Sequence, residues 1–214
     1  MGYGFCVRAR GDRALFTRPE MKAEPYSYSV LTPGAAAGIL ESVFWHPGMK
    51  YVIDKITVLN PIQFDQVRRN EVGSVPSIRQ IRAAGKSGEP YHQNPTTDRQ
   101  QRNSVILRDV DYLIDAHFII KRDEIGERDT PEGFYNILLR RLRKGQHFKQ
   151  PCMGCREFPA YVSLVEGERP PSVYEDLPEM DLGYMVHHVE YLSSGGKDVV
   201  FHAIMRNGVI DTRL

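Results

Sequence analysis

Apolar and polar side chains alternate from the start of the chain. Phe5, Val7 and Ala9 fall on one side and Cys6, Arg8 and Arg10 on the other, which predicts a strand over 4–10. Gly11-Asp12 then reads as a turn, and irregular sequence runs on through Pro19. Thr32-Pro33 is a helix start, a hydroxyl to cap and a proline where its missing N–H costs nothing. Ala36, Ile39, Leu40 and Val43 supply the apolar stripe, and His46-Pro47-Gly48 stops it. A second strand is predicted over 51–59, with Val52, Ile56 and Val58 on one side and Lys55 on the other. Residues 105–122 alternate in two strand-like stretches. Asp129-Thr130-Pro131-Glu132 opens a second helix with capping-box character, buried along Phe134, Ile137, Leu138 and Leu142 and ended by Gly145. Further strands are predicted over 160–165, 183–191, 199–205 and 208–211.

Residues 60–103 break this rhythm. They are rich in Arg, Gln, Asn, Gly and Pro and poor in long apolar runs. A structureless loop of that length is unusual inside a compact domain, so the segment reads as a protruding basic insertion, a hairpin that orders fully on a partner. The element order matches an α+β protein built on a split β-α-β, ferredoxin-like (RRM-like) unit. That places a ferredoxin-like domain at 1–165, with the insertion at about 60–103, and a β-rich C-terminal subdomain at 166–214.

Composition changes the picture only through its arrangement. With 41% apolar and 26% charged residues, the 214-residue chain is globular rather than disordered. No stretch approaches the ~20 apolar residues that span a bilayer. The first ten residues carry Arg8 and Arg10 and no apolar signal core, so a cytoplasmic protein with no membrane partner is expected. The net charge of +1 hides segregation. Eight basic residues between 66 and 108 meet three acids, six between 137 and 156 meet none, and eight acids between 157 and 190 meet one arginine. A positive face suited to a phosphate backbone is therefore available.

Cys6, Cys152 and Cys155 are too few and too irregular for a disulfide framework. Cys152-Met153-Gly154-Cys155 lacks the second ligand pair that zinc needs, so ordinary thiols near a turn are expected, with no metal and no cofactor. His117 is the leading chemical candidate. On a strand over 111–121, Asp115, His117 and Lys121 share one face, opposite the apolar Tyr112, Ile114, Ala116, Phe118 and Ile120. An imidazole titrates near neutral pH, which suits it to moving protons. His187-His188 alternate between faces and read as structural.

Longer segments carry a resemblance. They include Arg10-Gly11-Asp12-Arg13-Ala14-Leu15-Phe16-Thr17-Arg18-Pro19-Glu20, Tyr28-Ser29-Val30, Thr32 to Glu41, and Phe44-Trp45-His46-Pro47. Ile53-Asp54-Lys55-Ile56, Pro61-Ile62, Arg68-Arg69-Asn70-Glu71, Ala116-His117-Phe118, Cys155-Arg156-Glu157-Phe158 and Leu182-Gly183 continue it. Together, over essentially the whole chain, they resemble the CRISPR-associated Cas-five family, subtype I-C, of the repeat-associated RNA-binding superfamily. The resemblance implies a subunit that holds the repeat-derived 5′ handle of a guide RNA in a type I-C surveillance complex, beside backbone and large subunits. It also implies metal-independent cleavage of precursor CRISPR RNA, with the RNA's own 2′-hydroxyl as nucleophile. A purely structural, noncatalytic handle-binding subunit is the alternative.

The family's site resembles a tyrosine, a lysine and a histidine, the lysine directly before the histidine. Here Ala116 precedes His117, so the amine comes from Lys121 or Lys50. Phe44-Trp45 stands where Tyr-Trp would match, so a hydroxyl comes from Tyr26, Tyr28 or Tyr51. The catalytic candidates are His117, Lys121, Tyr51 and His46. The RNA-binding candidates are Arg8, Arg10, Arg13, Arg18, Lys55, Arg68 and Arg69, with Phe16 and Trp45 as stacking platforms.

Overall fold

The computed structural model describes residues 3–21, 23–94, 96–127, 129–193 and 195–213. Its strands are β1 (Phe5–Ala14), β2 (Met49–Val58), β3 (Phe64–Val72), β4 (Arg99–Ile120), β5 (Tyr161–Leu164), β6 (Met180–Leu192), β7 (Gly195–Arg206) and β8 (Val209–Asp211). Its α-helices are α1 (Pro33–Val43), α2 (Ile78–Ser87) and α3 (Pro131–Arg143). This is a mixed α and β protein on an antiparallel sheet, ordered β5-β1-β4-β2-β8-β7-β6, with β3 paired to β4 off that path. Among the described residues no helix is long and apolar enough to cross a membrane.

Apolar alternation decides which side of the sheet is covered. Phe5, Val7 and Ala9 of β1 join Ile114, Ala116 and Phe118 of β4 in the core, under α1 and α3. Thr32 Oγ1 accepts from Ala35 N–H at 3.2 Å to cap α1, whose Ala36, Ile39, Leu40 and Val43 are buried. The helix ends at Val43, before the His-Pro-Gly stop, because tertiary partners take its last carbonyls. Arg141 Nη1 donates to Val43 O at 2.7 Å, and the Phe148 and Lys149 amides donate to Ser42 O. In α3, Thr130 caps Gly133 N–H, Phe134, Leu138 and Leu142 are buried, and Gly145 closes the end at φ 61°.

Three sequence expectations change. β1 does not turn at Gly11-Asp12 but runs on to Ala14, because β4 offers Val110, Arg108 and Leu107 as further partners. Gly11 serves close packing, since a Cβ there would stand 3.0 Å from Met153 Cγ and 3.1 Å from the Pro159 carbonyl oxygen. The two stretches over 105–122 belong to one 22-residue strand, β4, kinked where Asp109 takes φ 51°. Val52 lies on the face opposite Ile56 and Val58, because the β2–β4 register shifts between Ile53 and Lys55. That bulge makes Asp54 an extra residue and reverses the parity of everything before it.

The insertion at 60–103 is a hairpin arm. β3 pairs residue for residue with the first part of β4, from Phe64 opposite Leu107 to Val72 opposite Arg99. α2 sits at its far end, capped by Ser77 and by Gly88 at φ 77°. No residue of α2 is buried, so the arm stands off the core. At the other end of the chain, β8 pairs with β2 and carries β6 and β7 into the same sheet.

Candidate active site and nucleic-acid interface

The β2 bulge builds the site. Two successive residues of a bulge can face the same way. Asp54 Oδ2 lies 2.8 Å from His117 Nδ1, while Lys55 pairs with Asp115, two residues along β4 from His117. Val52 pairs directly with His117, and Lys50 pairs with Ile119, which puts Lys50 one diagonal step from the imidazole on the same face. His117 is 33% exposed and Asp54 30%, so the pair meets solvent with its inner edges fixed. A carboxylate on Nδ1 holds that nitrogen protonated and leaves the Nε2 lone pair free to take a proton.

The C-terminal strand braces this bulge. Thr212 is fully buried; its N–H donates to Asp54 O at 3.1 Å and its Oγ1 to Ile53 O at 2.6 Å. His187 Nε2 lies 2.8 Å from Thr212 O, and burial pushes the His187 pKa below its ordinary value. A neutral His187 therefore donates from Nε2 to that carbonyl and accepts at Nδ1 from His188, 2.8 Å away. Arg213 pairs with Asp211, whose carboxyl its hydrogen bonds hold down at about 2.

Asp54 is the partner of His117 that sequence reasoning missed, and no local signal marks it because a bulge is set by the partner strand. Asp115, expected beside His117 as its acid, instead takes a two-pronged hydrogen bond from Arg169 at 2.6 and 3.0 Å. Lys121 lies past the end of β4 with its ammonium 3.3 Å from Glu124. Tyr51 is on the wrong face of the sheet. It is 5% exposed, its hydroxyl donates to Phe44 O at 2.7 Å, and burial drives its pKa far up. His46 also sits on the helical side, 4.6 Å from the Phe134 ring, with Nδ1 accepting from Gly48 N–H and Nε2 3.6 Å from Asp129. Neither shares a site with His117.

The binding candidates divide in the same way. Phe16 is 3% exposed and packs edge-on against Tyr112, which makes it core rather than a platform. Trp45 is 56% exposed and available for stacking. Arg8 is consumed by Asp111, with Nε 3.0 Å from Oδ1 and Nη2 2.5 Å from Oδ2. Arg69 binds Glu157 and Ser104, whereas Arg68 is exposed. Lys55 lies between Asp115 and Asp211. Arg18 is clamped between Tyr26 and Tyr28, 5.5 and 5.1 Å from their centroids, and its buried Nε has no partner among the described residues. Arg13 stands opposite Arg108 across β1 and β4, both exposed and without a carboxylate among the described residues. Like charges set opposite each other on neighbouring strands are destabilising unless an anion lies between them.

The three cysteines are free. Gly154, at φ 83°, abuts the Leu15 carbonyl where any Cβ would clash, so close packing dictates the turn between Cys152 and Cys155. Cys155 donates to that carbonyl at 3.9 Å, and burial raises its pKa. Among the described residues no three His, Cys, Asp or Glu side chains are grouped to hold a metal ion.

Known proteins extend this picture. A protein of Mannheimia succiniciproducens named CRISPR pre-crRNA endoribonuclease Cas5d is 43% identical over 206 residues, 94% of this chain and 91% of that protein. The crystal structure of a CRISPR-associated protein, 26% identical, matches 99% of this chain and 92% of its own with a TM-score of 0.72. A chain of a CRISPR RNA-guided surveillance complex, 14% identical, shares the fold at a TM-score of 0.54 over 94% of this chain and 88% of that one. Residues 4–213 match the family described as CRISPR-associated protein (Cas_Cas5), Cas5d branch, and the chain therefore belongs to the Cas5d family, the Cas-five proteins of subtype I-C.

Proposed function

We propose that this protein cleaves precursor CRISPR RNA within its repeat, without metal, and stays bound to the 5′ handle as a subunit of the type I-C surveillance complex. The observation that carries the reading is the 2.8 Å contact between His117 Nδ1 and Asp54, which leaves Nε2 as the free nitrogen on a solvent-facing sheet surface. His117 Nε2 takes the proton of the RNA 2′-hydroxyl. The 2′-oxygen attacks the adjacent phosphorus, the P–O5′ bond breaks, and the products are a 2′,3′-cyclic phosphate and a 5′-hydroxyl. Asp54 stabilises the imidazolium that forms. Lys50, one diagonal step from the imidazole, offsets phosphorane charge and protonates the departing oxygen. Arg13, Arg18, Arg68 and Arg108 receive phosphates.

The name of the Mannheimia relative supports the activity, and the surveillance-complex chain supports the assembly. A ferredoxin-like core at 1–165 fits the strand order β5-β1-β4-β2 with α1 and α3 on one face, and 166–214 forms its β-rich extension. Incubating the purified protein with repeat-hairpin RNA in EDTA tests the reading. A discrete cut with cyclic-phosphate ends is the expected result. Intact but tightly bound RNA would instead support the noncatalytic subunit, which Phe44 and the burial of the Tyr51 hydroxyl favour.

A further inference from the structure

A cleft of about 320 Å³ lies between the end of α3 and the edge strand β5, away from the imidazole. Val43, Leu142 and Val162 line its floor, and Arg141, His147 and Tyr161 its rim. Its size is at the low end of the ~300–1,000 Å³ of small-ligand sites, enough for a nucleotide-sized group. Along the cleft and its margins one arrangement occurs three times, a cation held against an aromatic ring, with Arg141 and Tyr161 on the lining itself. Arg10 lies 5.9 Å from the centroid of Tyr161, Arg141 5.1 Å from Phe44, and Lys149 5.8 Å from Phe148. Tyr161 is 58% exposed and Phe148 68%, although the Phe148 loop is pinned by its hydrogen bonds to Ser42 O.

None of these three cations has a carboxylate within salt-bridge reach among the described residues, whereas Arg8, Arg69, Arg143, Arg169, Arg206 and Arg213 each have one. Rings held in the open beside unneutralised, ordered cations match the two faces of a single nucleic-acid strand, its bases and its phosphates.

We propose that this cleft binds unpaired nucleotides of the RNA, with bases on Tyr161 and Phe148 and phosphates against Arg10, Arg141 and Lys149. The proposal rests on the RNA-binding reading above and adds a second contact region to it. Arg10 lies opposite Asp111, six residues along β4 from His117, so at strand rise the two regions are about 20 Å apart. One RNA reaches both only through a run of several nucleotides.

The test compares a blunt repeat hairpin with the same hairpin carrying unpaired extensions, by fluorescence anisotropy. Tyr161→Ala with Phe148→Ala should weaken binding of the extended RNA roughly tenfold and leave the blunt one unchanged. Tyr161→Phe should behave as wild type, and Lys149→Gln should lower the salt slope by about one. Equal losses on both RNAs, or none, would overturn the proposal. So would variants that bind RNA normally yet lose a protein subunit of the complex, which would make the cleft a protein-docking surface. If the wild type binds neither RNA, the broader reading fails and takes this one with it; if it binds both, only the cleft is at stake.

Discussion

Asp54 and His117 are 2.8 Å apart across β2 and β4, and the contact exists because one extra residue in β2 turns the carboxylate toward the imidazole. His117→Ala should therefore cut cleavage by ~10²–10⁴-fold while RNA affinity stays within a few fold. Asp54→Asn should slow cleavage less, since the imidazole keeps its place while the imidazolium loses its counter-charge. Single-turnover rates against pH check both. Undiminished cutting by His117→Ala would remove the imidazole from the mechanism.

Arg68 and Arg69 should separate. Arg68 is exposed, so Arg68→Ala should lower the counterion-release slope of RNA binding by about one. Arg69 is tied to Glu157 and Ser104, so Arg69→Ala should chiefly loosen the contact between the arm and residues 155–158. Salt titrations and melting curves on the two single variants distinguish these effects. A full unit of slope lost with Arg69 alone would mean RNA breaks its ion pair.

Phe16 and Trp45 are both aromatic, and their burial predicts opposite phenotypes. Phe16→Ala should cost about 3–5 kcal/mol of stability, as core phenylalanine truncations do. Trp45→Ala should change stability by no more than ~0.5 kcal/mol, as exposed substitutions do. If Trp45 stacks on a base, its loss should weaken RNA binding by ~1–3 kcal/mol. Chemical denaturation and binding isotherms give both numbers.

Tyr51→Phe should leave cleavage intact. Its hydroxyl serves the Phe44 carbonyl on the core side, so removing it should cost roughly 1–3 kcal/mol of stability by stranding a buried acceptor. A cleavage rate that collapses in a folded Tyr51→Phe protein would put that hydroxyl back in the chemistry.

His187 should make stability pH-dependent. Burial holds its folded pKa below the ordinary value, with His188 and Lys50 adding to the effect. The unfolded chain then binds protons more readily, so stability is complete above the unfolded value of about 6.5 and falls as pH drops below it. Melting temperatures from about pH 8 to pH 5 should fall less steeply in His187→Gln. An unchanged slope would mean that other groups carry the acid sensitivity.

Local signals in the chain decide much of the fold. Thr32-Pro33 and Thr130-Pro131 start helices on their own chemistry, and the stripe Ala36, Ile39, Leu40, Val43 lands in the core as its spacing requires. Strand faces were legible wherever alternation is unbroken, as from Tyr112 to Phe118. What stayed hidden depends on a partner. Nothing near Asp54 announces a bulge, nothing near Gly11 says that β4 will extend it, and the fate of Arg8 is decided by Asp111, 103 residues away. The site followed the same rule: His117 was visible from its own strand, but its acid came from a neighbour that only register could supply.

β4 also governs when the sheet can assemble. β1, β2 and β3 do not pair with one another; each takes β4 as a neighbour, so Phe5 must wait for Ala116, Met49 for Ile120 and Phe64 for Leu107. A nascent chain that has not yet released residue 120 from the ribosome carries three orphan strands and no ladder to hold them. Such long-range closure is slow and leaves adhesive edges in the meantime. Synthesis of this protein thus passes through a window in which chaperones, or an early arriving RNA, have the most to protect.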